Sequence, residues 1–346
     1  MAQQSEDEFE ELILFVNEND HQEFKRLDQL LGHKISDFSR TYLKKIFQSG
    51  LIQGWTGQDI ETQTGNETEQ EIKLELKKLP PIGTKITLRL PHQKEAELEA
   101  QNIPLEILYE DEDLVIINKP AGMVTHPAPG HPDGTLVNAI LHHCPNLKGM
   151  HDSKRPGIVH RLDKGTSGVM VVAKAQKAHE GLVKLFSSHN IDRVYQALTI
   201  GPEVPVGGTI KSTLGRHPQN RLKMAADVRD GKEAITHYRC LDKNLELKLH
   251  HFELKLETGR THQIRVHLSQ LLRHPILCDP IYANPRTQLQ QINGPEIIEL
   301  LKDYPHQLLH ARVLGFKHPL SGKKIFIEKE APEIFQKVLN TAFKKN

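Results

Sequence analysis

The sequence has few cysteines and lacks long apolar runs. No stretch of about 18 apolar residues occurs in the 346 residues, so we expect no transmembrane helix. The N-terminus lacks basic residues followed by an apolar stretch, so we expect no secretory signal. Cys144, Cys240 and Cys278 are odd in number and far apart, which excludes a disulfide framework and a CxxC metal site. These absences predict a soluble protein of the reducing cytoplasm.

Basic residues are absent from the start of the chain. Residues 1–20 contain seven acidic side chains and no Lys or Arg, whereas the remainder carries 45 basic and 37 acidic side chains. A basic body behind an acidic leader is compatible with a polyanionic partner. Because many soluble proteins carry a similar surplus, the charge pattern permits a nucleic-acid partner without requiring one.

Apolar patterning and composition divide the chain into five segments. We predict an acidic N-terminal extension (1–22), a small unit (23–92), a polar linker (93–103), a large domain (104–340) and a short tail (341–346). The length supports more than one domain. An apolar patch at 12–16 of the extension suits either a short strand or a helix.

The large domain mixes short apolar runs with few helical patterns. Strands are expected at 114–118, 169–174, 194–200, 235–241, 247–256, 308–316 and 324–328. Helices are expected at 175–188 and 261–272, and 285–305 shows no clear strand pattern. This mixture is typical of an α+β domain rather than a regular βαβ series.

One helix is predicted in the small unit, over residues 40–48. Ser39 suits its N-cap, and Gly50 suits the position that follows its end. One side of this helix gathers its three basic residues, Arg40, Lys44 and Lys45. Taken alone, that side is most simply the solvated face of an amphipathic helix.

The loop at 157–168, Gly-Ile-Val-His-Arg-Leu-Asp-Lys-Gly-Thr-Ser-Gly, holds an aspartate among cations. An Asp in such a turn usually caps it. Three cationic residues flank Asp163: His160, Arg161 and Lys164. They could hold its carboxylate ionised, and the flanking strands could present the loop rigidly. From these residues alone, a turn cap and a functional carboxylate both remain open.

A second cationic stretch, 256–267, surrounds the start of the helix expected at 261–272. Its basic residues are Arg260, His262, Arg265 and His267. A helix N-terminus with Thr, Gly and Arg is a natural anion site, for a phosphate or for a carboxylate from elsewhere in the fold. The alternative is an ordinary capped helix with its charges in solvent.

Three ordered stretches, 157–174, 193–201 and 256–282, closely resemble the three motifs of the RluA-type pseudouridine synthases. The details are most similar to the RluD-like branch, which modifies large-subunit ribosomal RNA. Supporting matches lie at 118–127, 130–138, 216–218, 223–225, 236–239 and 309–311. The resemblance covers nearly all of 104–340 and implies an α+β fold with a mixed, largely antiparallel central sheet flanked by helices and loops.

This resemblance implies an RNA pseudouridine synthase, an isomerase that needs no cofactor and no metal. Asp163 takes the place of the catalytic carboxylate, and the sequence leaves open whether it attacks C6, attacks C1′ or removes a sugar proton. Tyr195 is expected to stack on the uracil and to help remove the C5 proton. Arg265 is expected to pair with Asp163, keeping it charged and oriented. Arg161 resembles the residue that fills the space left by the flipped nucleotide. Further substrate-binding candidates are His160, Arg260, Thr261 and His262.

One departure from the family lies at 277–280. Cys278 stands where the family usually has Gly, which normally serves a tight backbone turn. We expect a local adjustment there. No His pairs with this Cys in the sequence pattern, so its thiol is assigned a structural role.

The small unit resembles an S4-like RNA-binding domain of α+β type, through 25–31 and 39–50. In such domains the basic helix face approaches RNA, which makes Arg40, Lys44 and Lys45 RNA-binding candidates. The usual Val-Asn-Gly hairpin is replaced by Ile-Gln-Gly-Trp-Thr and an acidic stretch, and the usual Gly-Asp before the last strand is Gly-Thr.

Three other functions were weighed against this one. A metal-dependent hydrolase is suggested by the 21 histidines, but they are scattered and form no HxxxH pair with a partnering carboxylate. A non-catalytic ribosome-associated RNA-binding protein would not need Asp163, Tyr195 and Arg265, which are all present. Transfer RNA could replace ribosomal RNA as substrate, although the S4-like unit favours ribosomal RNA or a pre-ribosomal particle. We expect a cytoplasmic monomer with no membrane partner.

Overall fold

A computed structural model describes residues 9–35, 40–55, 70–91, 98–128, 131–149, 155–220 and 222–343. Its contacts divide the chain into two compact units, Met1–Glu97 and Leu98–Asn346. The finer limits drawn from the sequence remain predictions. Over the described ranges, every helix is too short or too polar to cross a membrane.

The small unit packs helices on a four-stranded antiparallel sheet with the order β1-β4-β2-β3. Its strands are β1 (Phe9–Phe15), β2 (Ile52–Trp55), β3 (Glu71–Ile72) and β4 (Lys85–Pro91). Its helices are α1 (Glu18–Glu23), α2 (Leu27–Lys34) and α3 (Arg40–Gln48). Its core includes Leu27, Leu31, Leu43, Ile86 and Leu88.

The apolar patch at 12–16 contributes to strand β1. Leu12 and Leu14 pack against the core of the small unit, whereas Ile13 and Phe15 are exposed. This alternation has the period of a strand. The helix predicted at 40–48 is confirmed, and Gly50 follows it at φ +77°, a conformation that favours glycine. The predicted N-cap Ser39 lies outside the described residues.

The large unit is built on a mixed, largely antiparallel sheet. Its strands are β5 (Glu106–Glu110), β6 (Leu114–Lys119), β7 (Ser167–Ala173), β8 (Asp192–Ile200), β9 (Gly207–Arg216), β10 (Met224–Ala226), β11 (Lys232–Asn244), β12 (Leu249–Leu256), β13 (Leu309–Lys317) and β14 (Lys324–Glu328). Their order is β10-β9-β11-β12-β8-β13-β7-β6-β5, and β14 pairs with β13. Within the described residues, β13 and β7 form the one parallel pair. The predicted fold class is therefore confirmed.

Helices cover both faces of the sheet around β6 and β7. On one face, Val115 and Ile117 of β6 pack in a core with α4 (Leu136–His143). On the other, Leu114 and Ile116 pack in a core with α5 (Gln176–Ser187). Burial on both faces explains why these strands are continuous apolar runs rather than alternating ones.

Two helical regions differ from the sequence expectation. The helix expected at 261–272 begins two residues later, as α6 (Gln263–Val266), and continues as a π-helical turn, His267–Leu271. The region at 285–305 contains α7 (Pro285–Gln291) and α8 (Pro295–Leu301). Each of these opens on a proline, which is favoured in a first helical turn and was the signal that pattern analysis overlooked. Helix α9 (Glu333–Ala342) lies near the end of the chain.

Candidate active site

The loop that carries Asp163 leads directly into β7 and is held by buried main-chain contacts. Thr125 donates its hydroxyl to the carbonyl of Leu162 (3.0 Å). Lys119 is fully buried, and its Nζ donates to the carbonyls of Pro120 (2.8 Å), Met123 (2.9 Å) and Lys164 (3.4 Å). Burial lowers the pKa of Lys119 to about 7. These bonds tie the turn after β6 to the loop. Lys119 lies within the supporting match at 118–127, where no role was predicted for it.

The carboxylate of Asp163 accepts a hydrogen bond from Nη1 of Arg265 at 3.0 Å. The turn itself is closed by main-chain atoms, since the amide of Thr166 donates to the carbonyl oxygen of Asp163 (3.0 Å). About one sixth of the Asp163 side chain (17%) is exposed. The side chain is therefore directed to Arg265 and remains accessible, which the turn-cap interpretation did not require.

Arg265 is clamped by a second carboxylate. Its Nε and Nη2 donate to the two oxygens of Asp279, each at 2.8 Å, which leaves Nη1 for Asp163. Asp279 is fully buried and also accepts the amides of Ile281 (2.9 Å) and Tyr282 (3.0 Å). Burial alone would lower the pKa of Arg265, but the bonds and charges of Asp279 and Asp163 raise it above its usual value. Asp279 lies within the stretch 256–282 that resembles the third family motif, but no role was predicted for it from the sequence.

Tyr195 lies on β8, which pairs with β12 on one side and β13 on the other. Only 9% of the residue is exposed. Burial raises the pKa of its phenol to about 12, so the hydroxyl stays protonated at neutral pH. A residue on a strand paired on both sides is held more rigidly than one on a loop.

A cavity of about 550 Å³ unites the catalytic and substrate-binding candidates of the large unit. The predicted residues that line it are His160, Arg161, Asp163, Tyr195, Arg260, Thr261, His262 and Arg265. Arg161, Arg260 and Thr261 are exposed. The cavity therefore contains a paired carboxylate, a buried tyrosine and several cations.

The RNA-binding candidates of helix α3 belong to the small unit. Lys44 and Lys45 are exposed there, and the side chain of Arg40 lies outside the described part of the chain.

The imidazole ring of His160 is fixed by contacts with Val171 and Phe186 of the large unit. Its Nε2 accepts the amide of Val171 (3.1 Å), and its ring stacks on Phe186 with 4.5 Å between centroids. Burial lowers the pKa of His160 to about 3, so the ring is neutral near pH 7. Because Nε2 is an acceptor, the proton of the neutral ring lies on Nδ1. That N–H is the group that remains for a ligand.

His262 lies between the carboxylate of Asp163 and the hydroxyl of Tyr282. Its Nδ1 lies 2.8 Å from the hydroxyl oxygen of Tyr282, and its Nε2 lies 4.0 Å from Oδ2 of Asp163. Tyr282 also accepts the amide of Met224 (2.7 Å), and its ring centroid lies 5.1 Å from the guanidinium carbon of Arg265. His262 has φ +57°. Tyr282 was not among the residues predicted from the sequence.

Cys278 keeps the tight turn that the family builds with glycine. Its φ is +60°, and its amide donates to Oε1 of Gln288 (3.0 Å). A side chain in this left-handed region is uncommon and strained relative to glycine. Burial raises the pKa of the Cys278 thiol to about 12, which makes it a poor nucleophile.

Two groups of side chains in the described residues bring potential metal ligands within 4.8 Å of one another: Glu110, His143 and Cys144, and Asp111, Asp113 and His318. In the second group, Nδ1 of His318 accepts the amides of Leu320 (3.2 Å) and Ser321 (3.0 Å). The neutral ring then carries its proton on Nε2, which leaves that atom no lone pair for a metal. None of these side chains lines the cavity of Asp163.

The mixed sheet holds an ion-paired aspartate and a buried tyrosine in a cationic cavity, an arrangement suited to a polyanionic substrate. Residues 113–270 match a family model described as RNA pseudouridylate synthase. The chain belongs to the RNA pseudouridine synthase family, and it is an isomerase that acts on RNA.

Several proteins illustrate this membership. An uncharacterized RNA pseudouridine synthase of Synechocystis is 41% identical, over 91% of this chain and 88% of its own. The ribosomal large subunit pseudouridine synthase D of Pseudomonas aeruginosa is 40% identical, over 90% of each chain. The solved structure of human RNA pseudouridylate synthase domain containing 4 superimposes with a TM-score of 0.53 at 26% identity, covering 68% of this chain and 92% of that one.

Proposed function

We propose that this pseudouridine synthase acts on large-subunit ribosomal RNA. This proposed target is supported by the 40% identity, over 90% of both chains, to the Pseudomonas aeruginosa enzyme. The name of that enzyme specifies the ribosomal large subunit. A transfer RNA target and a non-catalytic role are not favoured by these relatives. We further propose that the protein works as a cytoplasmic monomer without a membrane partner.

The proposed chemistry centres on Asp163, with Tyr195 and Arg265 as its catalytic partners. The reaction breaks the N1–C1′ bond of a uridine, turns the uracil and joins C5 to C1′. C5 loses a proton and N1 gains one, so the product is an isomer of the substrate. The 3.0 Å contact from Arg265 supports this assignment, because it fixes the orientation of the Asp163 carboxylate in the cavity.

Of the exposed cations of the cavity, Arg161 is proposed to fill the space that the flipped nucleotide leaves, and Arg260 to hold that nucleotide and its phosphates. Arg161 precedes Asp163 by two residues, and Arg260 donates its Nε to the carbonyl of Glu233 (2.9 Å). Base flipping costs on the order of a few kcal/mol, and phosphate contacts offset that cost. Thr261, His262 and the Nδ1–H of His160 are proposed to contact the nucleotide.

Replacement of Tyr195 by Phe should lower turnover strongly while RNA binding persists. Phe keeps the ring that would stack on uracil but lacks the hydroxyl that would assist proton removal, a contribution of typically about 10²-fold or more. Single-turnover pseudouridine formation and a separate RNA-binding titration check this. Tyr238→Phe, on β11, is the matched control and should remain near wild type. Unchanged turnover in Tyr195→Phe would remove its hydroxyl from the chemistry.

The small unit is proposed to bind RNA through the basic side of α3, in the manner of an S4-like domain. Lys44→Gln with Lys45→Gln should weaken RNA binding and reduce the slope of log affinity against log salt by about 0.7 to 0.9 for each lost phosphate contact. The matched control is Lys77→Gln with Lys78→Gln, a pair that is also exposed in this unit. Equal losses in both variants would argue against a specific role for α3.

The proposed target is tested by mapping pseudouridine in ribosomal and transfer RNA from a strain that lacks the gene. We expect one or more positions of large-subunit RNA to lose pseudouridine. The wild-type gene should restore them, and a gene encoding Asp163→Asn should not. Loss confined to transfer RNA would overturn the ribosomal target while leaving the enzyme class intact.

A further inference from the structure

Arg193 lies on β8 two residues before Tyr195, and it lines the same cavity. Only 7% of the residue is exposed. Its Nη2 donates to the main-chain carbonyls of Glu257 (2.7 Å) and Leu256 (3.4 Å). Among the residues that the structure describes, its Nε has no acceptor and no carboxylate pairs with the guanidinium. Arg193 is thus a buried cation without a counter-ion.

This arrangement leaves part of the side chain's binding capacity unused. A guanidinium stays charged in proteins, and a buried charge without a partner is costly. Burial lowers the pKa of Arg193 relative to its usual value, as expected for a cation removed from water. Buried donors are nearly always satisfied. A ligand in the cavity that brings acceptor oxygens and negative charge would satisfy this one.

Gly259 and Phe186 lie beside the guanidinium of Arg193 and leave room for it. A Cβ added to Gly259 would lie 2.8 Å from Nη1 of Arg193, closer than Cβ atoms approach other heavy atoms. The absence of a side chain at Gly259 therefore makes room for the cation. The guanidinium carbon also lies 5.7 Å from the ring centroid of Phe186, within the range of a cation–π contact.

We propose that Arg193 is a further catalytic residue, which binds a uracil oxygen and stabilises the negative charge that the ring acquires during the reaction. The proposal rests on the assignment of the Asp163 cavity as the active site. Preorganised donors aimed at developing charge are often the largest single contribution to catalysis.

The uracil ring acquires negative charge in each of the three routes that remain open for Asp163. If the carboxylate attacks C1′ or removes a sugar proton, the uracil departs with the electron pair of the N1–C1′ bond. If it attacks C6, the π electrons of the ring move onto O4. In each route the ring later uses an electron pair to form the C5–C1′ bond. The bond from Asp163 to C1′ or C6 breaks, or the sugar proton returns to its carbon, and C5 finally loses a proton while N1 gains one. Uracil therefore carries negative charge at some step of every route.

A phosphate of the RNA backbone is the other anion that a buried arginine could bind. The structure favours uracil, because Arg193 and Tyr195 are two residues apart on β8, so their side chains lie on the same face of the sheet and line the same cavity, and Tyr195 is the residue proposed to stack on the base. Arg161 and Arg260 are the exposed arginines of the cavity. They are better placed for a backbone that stays attached to the rest of the RNA. The deepest group of a flipped nucleotide is its base.

The test separates chemistry from binding in Arg193→Met, Arg193→Lys and Gly259→Ala. Arg193→Met should lower the single-turnover rate constant at saturating enzyme on the order of 100-fold, while the Kd for RNA changes less than about threefold. Gly259→Ala keeps the charge but displaces it, so its rate constant should also fall. Arg239→Met, which removes an exposed arginine of the same unit, is the control and should remain near wild type.

Two outcomes would overturn the proposal. A Kd raised tenfold or more in Arg193→Met, with the saturated rate constant near wild type, would assign the arginine to a phosphate. If Arg193→Met fails to fold by circular dichroism, the charge-retaining Arg193→Lys and Gly259→Ala decide, and rate constants within threefold of wild type in both would refute a catalytic role. The assay uses whichever RNA the wild type modifies, so an error in the proposed ribosomal target does not affect it. Full activity of Asp163→Asn in parallel would instead show that the active-site assignment is wrong.

Discussion

Replacement of Asp163 by Asn should abolish pseudouridine formation while RNA binding is retained. The Asn side chain has nearly the same shape as Asp. In the wild-type protein, Nη1 of Arg265 donates to the Asp163 carboxylate at 3.0 Å, and the amide oxygen of Asn can still accept this hydrogen bond. It cannot act as a nucleophile or a base, so turnover should fall on the order of 10⁴-fold or more, as in other enzymes that lose a nucleophile. The measurement is product formed by purified protein on unmodified RNA, with the Kd for RNA determined in parallel.

Asp303→Asn is the matched control for this substitution. Asp303 is exposed in the same unit and does not line the cavity, so turnover should be unchanged. Appreciable product from purified Asp163→Asn would refute its assignment as the catalytic carboxylate. Loss of RNA binding in this variant would show that the carboxylate is needed earlier, to form the site.

Replacement of Arg265 by Met should cost both stability and activity. The change leaves Asp279 fully buried and charged with no cation, and breaking such a pair costs about 3 to 5 kcal/mol of unfolding free energy. It also removes the donor that orients Asp163. Urea unfolding and single-turnover kinetics measure the two effects. The exposed pair of Arg239 and Glu253 is the control, since Arg239→Met should cost less than about 1 kcal/mol.

A second substitution separates the two roles of Arg265. Asp279→Asn, added to Arg265→Met, removes the uncompensated charge while its amide oxygen can still accept the main-chain amides of Ile281 and Tyr282. Stability should then recover in part, whereas activity should not, because Asp163 still lacks its partner. Recovery of turnover in the double variant would mean that Arg265 only neutralises Asp279.

Much of the fold could be predicted because it depends on local pattern. The run at 114–118 became β6, and the pair of strands expected near the end of the chain became β13 and β14. Strand periodicity and burial on two faces are properties of neighbouring residues. The short helices α7 and α8 were missed because each has only seven residues, about two turns, which is too short to establish a helical period, and they are recognised mainly by proline at their first turn.

Local sequence pattern predicted only some of the functional residues. The residues around Asp163 left a turn cap and a functional carboxylate open, and the ordered motifs of a known family decided between them. The structure adds that the turn is closed by main-chain atoms, which leaves the carboxylate for Arg265. Pattern analysis gave no role to Asp279 or Lys119, since a buried charge looks like a surface charge in sequence.

By itself, the sequence determined the α+β class, most strands of the large unit and, through its ordered motifs, the family and the three proposed catalytic residues. The tertiary structure alone decided how those residues meet. Asp163 and Arg265 are 102 positions apart. Their 3.0 Å contact depends on the sheet order β12-β8-β13-β7, because Asp163 precedes β7 and Arg265 follows β12. The bidentate contact of Asp279, and the burial of Arg193 with no carboxylate partner in the described part of the chain, likewise became visible only in three dimensions. Burial and charge pairing depend on distances that no local pattern encodes.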